Sequence, residues 1–378
     1  MKKIILTTII AVSCAFSSLF AFSWSGVLDN GTRFSANHDF SEKFLNQTNG
    51  VYLAVNSPLN ETGSYRFAAE GLYRYKLNLD IKRNDSDFKQ IADCTLAKFS
   101  FDLPMDGAAC NVSLGRFKYS DFSGSVFSQT SDGAYVSYDT INFKASAYAG
   151  YTGFLNRLNV SMIENEYKTT DQFYALCPKY IPILADFSYK TLFESQTIGL
   201  QVAYFQPVTD DNTQKAYGTL SLNGPIGNVA AYGVKFTAGT EKFENLMLDI
   251  KLDAAYYINS KAKFTAGAEY VSGEQGDIKP FVTISGRSFG TAPVYNGVIV
   301  PMFGAAYASG KLYAAATERI VITMPKDEAK LNGFDTSINV VYNVFSDLQI
   351  GCDAGAYICK EVKELSNYYA KLNAKLAF

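Results

Sequence analysis

Apolar and polar side chains alternate with period two over long stretches of this 378-residue chain, most clearly in its C-terminal half. From Asn245 to Ile258 (NLMLDIKLDAAYYI), Leu246, Leu248, Ile250, Leu252, Ala254, Tyr256 and Ile258 share one parity; Asn245, Asp249, Lys251 and Asp253 share the other. After the tight Asn259-Ser260 turn, Ala262, Phe264, Ala266, Ala268 and Tyr270 oppose Lys261, Lys263, Thr265 and Glu269. Ile350, Cys352, Ala354, Ala356 and Ile358 oppose Gln349, Asp353 and Tyr357, and the last residues (YYAKLNAKLAF) set Leu372, Leu376 and Phe378 against Lys371 and Lys375. Alternate residues of a strand point to opposite faces, so each stretch reads as a strand with one apolar and one polar face. These runs reach roughly 11–14 residues. Globular strands average about 5–6, whereas a tilted strand needs about 9–11 to cross a bilayer. Length decides between a soluble sandwich and a membrane barrel. The pattern predicts an all-β, transmembrane, antiparallel up-and-down barrel of about 18 strands, within a range of 16–18.

The strands are placed from near 22–35 to near 366–378, with others near 49–56, 93–102, 110–119, 133–139 and 335–345. With both termini inside, the periplasmic connections are tight, as at Thr140-Ile141, Asn259-Ser260 and Ser346-Asp347. The external set holds the long segments 36–48, 77–92, 120–132, 154–181, 272–297 and 321–334. The stretch 278–287 is kept inside a loop, because a strand there would break the in–out alternation. One barrel domain, 22–378, accounts for everything after the leader.

That leader is the stretch MKKIILTTIIAVSCAFSSLFA: Lys2 and Lys3, then an apolar run, then small residues before Ala21. It reads as a signal peptide over 1–21. A loose lipoprotein box at Cys14 is a second reading, and either one exports the chain. Tyr (26), Phe (28) and Gly (28) are abundant and Pro (10) is sparse, which suits strands joined by turns. Without Lys2 and Lys3, 32 basic residues face 36 acidic ones, a mature charge of −4 with no clustered basic excess, so nucleic acid is not an expected partner. Five mature cysteines (Cys94, Cys110, Cys177, Cys352, Cys359) read as packing residues; Cys352 and Cys359 are of opposite parity and cannot bond within one strand. The single histidine, His38, supplies neither a zinc cage nor a catalytic base with flanking motif, so no metal, cofactor or enzymatic activity is expected.

The segment VSLGRFKYSDFSG…QTSDGAYVSY (Val112 to Tyr138) resembles the porin pattern of a strand ending Leu-Gly-Arg, a loop, and Asp-Gly opening the next strand. AEYVSGEQGDIKPFVTISGR (Ala268 to Arg287) is similar to the place where 18-stranded porins of the alginate-export type leave the barrel after Tyr-x-x-Gly. The resemblance implies an outer-membrane channel, passive or substrate-selective, for small hydrophilic solutes. Alginate-type channels have a strongly basic constriction, whereas the lumenal positions here are of mixed sign. Pore-lining candidates are Asp249, Lys251, Asp253, Lys263, Glu269, Asp353, Lys371 and Arg116. For the charges on β-wall positions two readings stand: pairing across strands, or a selective constriction. Arg116 is either an inward residue beside loop 120–132 or a rim residue paired with Asp121 or Asp132. A competing function is a surface adhesin acting through loops 154–181 and 272–297. Expected partners are outer-membrane lipid and the barrel-assembly machinery, which would read the final strand ending at Phe378; the sequence leaves the oligomeric state open.

Overall fold

Strands placed in lipid have to close on themselves, because a free edge would leave backbone N–H and C=O groups without partners. The computed structural model of the protein describes residues 22–163, 173–193, 195–209, 212–325 and 328–378. The expected leader, with Cys14, lies outside the described residues. Eighteen strands follow in order: β1 (Ser23–Asn37), β2 (Lys43–Pro58), β3 (Tyr65–Asp80), β4 (Asp85–Met105), β5 (Ala108–Ser120) and β6 (Ser128–Thr140). Then come β7 (Phe143–Tyr151), β8 (Tyr180–Leu192), β9 (Gln196–Pro207), β10 (Lys215–Ile226), β11 (Ala230–Glu241) and β12 (Met247–Tyr257). The last six are β13 (Ala262–Val271), β14 (Val298–Ser309), β15 (Leu312–Thr323), β16 (Lys330–Asn343), β17 (Leu348–Cys359) and β18 (Asn367–Ala377). Each pairs antiparallel with the next, and β18 returns to β1 from Val27↔Ala377 to Asn37↔Asn367. This is a closed 18-stranded up-and-down barrel.

The seam is fastened at both ends. Phe378 and Gly26 exchange both backbone hydrogen bonds (2.7 and 2.9 Å), and the Phe378 ring lies over the bare Gly26 α-carbon, edge-on to Trp24. At the other end Phe40 stacks on Tyr368, with ring centroids 5.3 Å apart. The terminal phenylalanine is thus part of the closure.

Outward positions carry the apolar parity. Leu252, Phe264, Phe303, Ile338, Ile350 and Leu372 are all exposed, and Trp24, Tyr256, Tyr307 and Tyr342 sit toward the strand ends. Exposed leucine and phenylalanine on this scale are costly in water and normal in lipid.

Three connections differ from expectation. Segments 36–48, 77–92 and 321–334, expected as long loops, are shorter: turns at 38–42 and 81–84 replace the first two, because β2 begins at Lys43 and β4 at Asp85, and β16 already begins at Lys330. Above the bilayer both faces of a hairpin meet water. The period-two contrast fades there while the backbone ladder continues, so the pattern under-reads strand length.

Candidate pore and its constriction

The external connections 121–127, 152–163 and 272–297 turn into the barrel and pack on the inward parity of its wall. Val126 and Phe127 from the first, and Phe281, Ile284 and Phe289 from the third, join Phe117, Tyr148, Leu184, Phe205, Tyr217 and Met247 of β5 to β12 in one buried cluster. Backbone hydrogen bonds knit the loops to each other. Ile284 and Ser285 both donate to the Val126 carbonyl (2.9 and 3.0 Å), Ser128 N–H donates to Ser285 Oγ (2.9 Å), and Gly286 N–H donates to the Ser161 carbonyl (3.0 Å). The Phe122 amide donates to Gln201 Oε1 on the wall (2.8 Å). Inside loop 121–127 the Asp121 carboxylate accepts from the amides of Ser123 (2.9 Å) and Phe127 (2.8 Å), while burial pushes its carboxyl above the ordinary range. The thiol of Cys177, buried in the 152–179 connection, is pushed up to about 12, which leaves it a packing residue.

Two carboxylate anchors hold segment 272–297 against the wall. Arg287 donates to Asp249 of β12 (3.1 Å) and to Glu269 of β13, with all three side chains buried and the guanidinium between Phe281 and Phe289 (5.8 and 5.0 Å to the ring centroids). Farther along, Asp335 of β16 accepts from the Thr291 amide (2.8 Å) and hydroxyl (2.6 Å) and pairs with Arg319 of β15 (2.8 Å). A charge buried without its partner is costly, so each anchor fixes the loop where its acids sit.

The sequence candidates therefore separate. Asp249 and Glu269 are on the inward face as expected, yet they are consumed by Arg287, a residue not among the candidates. Lys251 lies in register between Lys235 and Glu269, and Asp253 is exposed opposite Gly233 and Gly267. Lys263 stands near the periplasmic end, opposite Tyr257 and Ala306. Asp353 accepts from the amides of Asn339 and Asn373, the latter at 3.0 Å, while Lys371 lies opposite Arg33 on one side and Asp353 on the other. Arg116 pairs with Asp132, one of the two partners named in its rim reading. It shares the outward parity of Leu114, opposite Ala97 and Asp132, where β4 parts from β5. Its guanidinium is taken by Asp132 (2.8 Å, through two nitrogens), Asp93 (3.3 Å) and the carbonyls of Cys94 and Phe154 (3.0 and 2.9 Å). It clamps the place where β4 parts from β5 to the start of connection 152–163.

On the opposite wall, β18 to β3, Lys76 is the inward cation that meets a loop, connection 152–163, among the contacts of the described residues. Arg33 lies over the Tyr369 ring (4.5 Å), Arg74 donates to the Tyr52 hydroxyl, and Lys76 reaches the Leu158 carbonyl (3.5 Å). Among the described residues, no carboxylate lies within ion-pair distance of Arg33, Arg74, Lys76 or Lys371. Arg33 was legible from parity, two positions from Gly31 and four from Asp29; Arg287 was not, because its loop has no period.

A closed barrel of 18 antiparallel strands with loops folded into its lumen defines a class of membrane barrel, and solved structures of that class superimpose on this chain. It is similar to OccK7 (OpdD) of Pseudomonas aeruginosa, with a TM-score of 0.64 and 11% identity over 94% of this chain and 98% of that one. It is similar to OccK1 (OpdK) of the same organism (TM-score 0.63, 12% identity, 94% and 98% covered) and to OccAB4 of Acinetobacter baumannii (0.61, 13%, 94% and 98%). At these identities the likeness is one of fold. No family model matches the sequence, and no curated protein does.

Proposed function

We propose that the protein is an outer-membrane channel through which small hydrophilic solutes diffuse, with a preference for anions. The observation that carries this reading is the contrast between the walls. The buried acids Asp249, Glu269 and Asp335 are neutralised by Arg287 and Arg319, while Lys371, Arg33, Arg74 and Lys76 on the other side have no carboxylate in ion-pair range among the described residues. Unpaired cations in a confined aqueous path lower the free energy of passing anions through the local potential. The fold similarity to Occ-type barrels supports a channel; one of them, OpdK, has been determined with vanillate. Within the porin group the alginate-export resemblance weakens, because a polysaccharide needs an uninterrupted basic constriction and here three knitted loops narrow the path.

The adhesin reading loses part of its support. Of the two loops it rests on, 272–297 turns Phe281, Ile284 and Phe289 inside the barrel, while residues 164–172 of 154–181 lie outside the described residues. Catalysis has no part in this reading; His38 lies in the β1–β2 turn beside Asp39 (4.0 Å). Export by the leader 1–21, insertion by machinery that reads the Phe378 strand, and residence in the outer membrane belong to the same proposal. Its test is single-channel recording of the refolded mature chain in a planar bilayer under a salt gradient. Steady openings with an anion-selective reversal potential are expected. Cation selectivity would overturn the preference, and a folded barrel that never conducts would overturn the channel.

A further inference from the structure

From the Arg287 anchor toward the periplasmic end, the inward parity of β10 to β14 turns from bulky to small. Asp253 of β12 stands in register between Gly233 of β11 and Gly267 of β13, with Asn223 and Met302 outside them. The next inward row is Ala231, Ala255, Thr265 and Gly304. The wall is hollowed there into a recess of about 540 Å³, with Lys235, Lys251 and Asp253 in its lining. That volume is in the range of small-molecule sites, about 300–1,000 Å³. Two glycines keep the hollow open: a methyl group on Gly233 would run into the Asp253 carboxylate, and one on Gly267 into the Leu252 carbonyl (2.7 Å). Asp253 is four residues below Asp249, about 10 Å toward the periplasm at about 3.3 Å per residue and a tilt near 40°. The recess therefore lies on the periplasmic side of the anchor.

Its charges are set out in a way that the fold does not need. Lys235 and Lys251 face each other across β11 and β12, with α-carbons about 5 Å apart. Like charges so placed are mildly unfavourable, and among the described residues neither lysine has an ion pair. Two acids near them are engaged elsewhere. Glu269, opposite Lys251, is taken by Arg287, and Asp121, which feels Lys235, accepts from the amides of Ser123 and Phe127. Asp253 is exposed one inward step below, with neither an ion pair nor a hydrogen bond among the described residues. The upper end of the recess thus offers two ammonium groups, and the lower end one bare carboxylate.

A single carboxylate on a ligand would balance one lysine. A phosphomonoester carries a charge of about −1.5 to −2 at pH 7 and three acceptor oxygens, enough for both, and lysine binds phosphate as a point charge. Asp253 repels that anion and only accepts hydrogen bonds, so the other end of the ligand has to bring donors. Asn223 and Thr265 beside it are neutral polar groups, which match hydroxyls rather than a second charge, and Ala231, Ala255 and Met302 give C–H groups an apolar floor. We propose that this recess binds the phosphomonoester of a small sugar, with the phosphate between Lys235 and Lys251 and hydroxyl groups donating to Asp253. The site names a solute for the channel and rests on the channel reading only for the route by which the solute arrives.

The test is isothermal titration calorimetry of the refolded mature chain in detergent, with glucose 6-phosphate as probe and gluconate and inorganic phosphate as comparisons. Glucose 6-phosphate should give saturable heat and bind about tenfold or more tighter than gluconate, which offers comparable hydroxyls with a single charge. Lys235→Gln with Lys251→Gln should weaken glucose 6-phosphate about tenfold or more and gluconate by less. Asp253→Ala should erase the advantage of glucose 6-phosphate over inorganic phosphate. Each variant should keep the mobility difference between boiled and unboiled gel samples that marks a folded barrel. No saturable heat from glucose 6-phosphate, gluconate or inorganic phosphate binding the wild type as tightly, or affinity unchanged in the double lysine variant would each overturn the proposal. Calorimetry needs no current: anion-selective openings without binding would remove the recess and spare the channel, and binding to a barrel that never conducts would do the reverse.

Discussion

The loop-packed wall (β5 to β14) and the open wall (β18 to β3) are built on the same strand grammar and differ only in what the inward parity carries. On the packed wall it carries Phe117, Tyr148, Leu184, Phe205, Tyr217 and Met247, and three loops cover them as a hydrophobic core covers a sheet. On the open wall it carries Asp29, Arg33, Arg74, Lys76, Lys371 and Lys375, of which Lys76 alone is described as touching a loop, at the Leu158 carbonyl. Outside, both walls present leucine, valine and aromatic residues to lipid. One barrel therefore combines a folded interior with a solvated one, and the loops go where the inward side chains are apolar enough to hold them.

The strongest way to break this contrast is at Arg287. Replacing it by methionine leaves Asp249 and Glu269, both buried, without a cation, a change that typically costs about 3–5 kcal/mol. Arg287→Met is expected to lower the urea midpoint of the refolded barrel and to raise single-channel conductance as segment 272–297 leaves its place. Unchanged current with unchanged stability would mean that the anchor holds nothing in the pore.

The lipid side, common to both walls, comes next. Ile250 shares the outward parity of β12 with the exposed Leu252, and Ile250→Arg should destabilise the inserted barrel by about 2–4 kcal/mol at mid-bilayer. Lys251→Ile, one residue on and facing inward, should leave insertion intact. The reverse result in vesicle refolding would invert the two faces of the strand and every assignment that follows from them.

A smaller effect is expected where the packed loop reaches toward the open wall. Gly290 has φ +65°, and a methyl group there would run into the Asp335 carboxylate, which Arg319 and Thr291 hold in place. Left-handed backbone at a residue with a side chain costs of order 1–3 kcal/mol where the surroundings cannot yield. Gly290→Ala should loosen the far end of segment 272–297 and add current noise with little loss of global stability. Quiet records identical to the wild type would show that the loop's far end does not shape the path.

Strand number and facing were legible in the sequence, because lipid on one side and water on the other impose period two on every crossing strand. The tops of β2 and β4 were not: from Lys43 to Thr48 and from Asp85 to Ala92 neither parity is uniformly apolar, since both faces leave the bilayer. The inward loops were legible only in part. Loop 120–132 was a candidate for entering the pore, but 272–297 was read as a surface element, although FVTISGRSF (281–289) carries apolar residues that a solvated loop does not need. The pairing of Arg287 with acids 38 and 18 residues away is a tertiary fact with no local signal. For Arg116 the Asp132 partner was legible, since the two lie opposite each other on β5 and β6, whereas Asp93 on β4 is a tertiary contact with no local signal.

The smallest structural effect carries the sharpest functional consequence. Arg33 is exposed to the lumen and Lys371 stands opposite it in register, two like charges on neighbouring strands with no carboxylate in ion-pair range of either among the described residues. Like charges facing each other across a strand pair are mildly unfavourable, so the fold gains nothing from them. Changing both to glutamine should leave stability within about 0.5 kcal/mol of the wild type, as for surface positions away from special contacts. The reversal potential under a salt gradient should nonetheless move toward zero, because the open wall loses two of its cations while Asp249 and Glu269 remain neutralised by Arg287. The same double change made at Lys251 and Lys235, which lie opposite each other beside the Glu269 anchor, should move it less. Equal shifts from both pairs would place the ion path midway between the walls, and a larger shift from Lys251 and Lys235 would move it to the packed side.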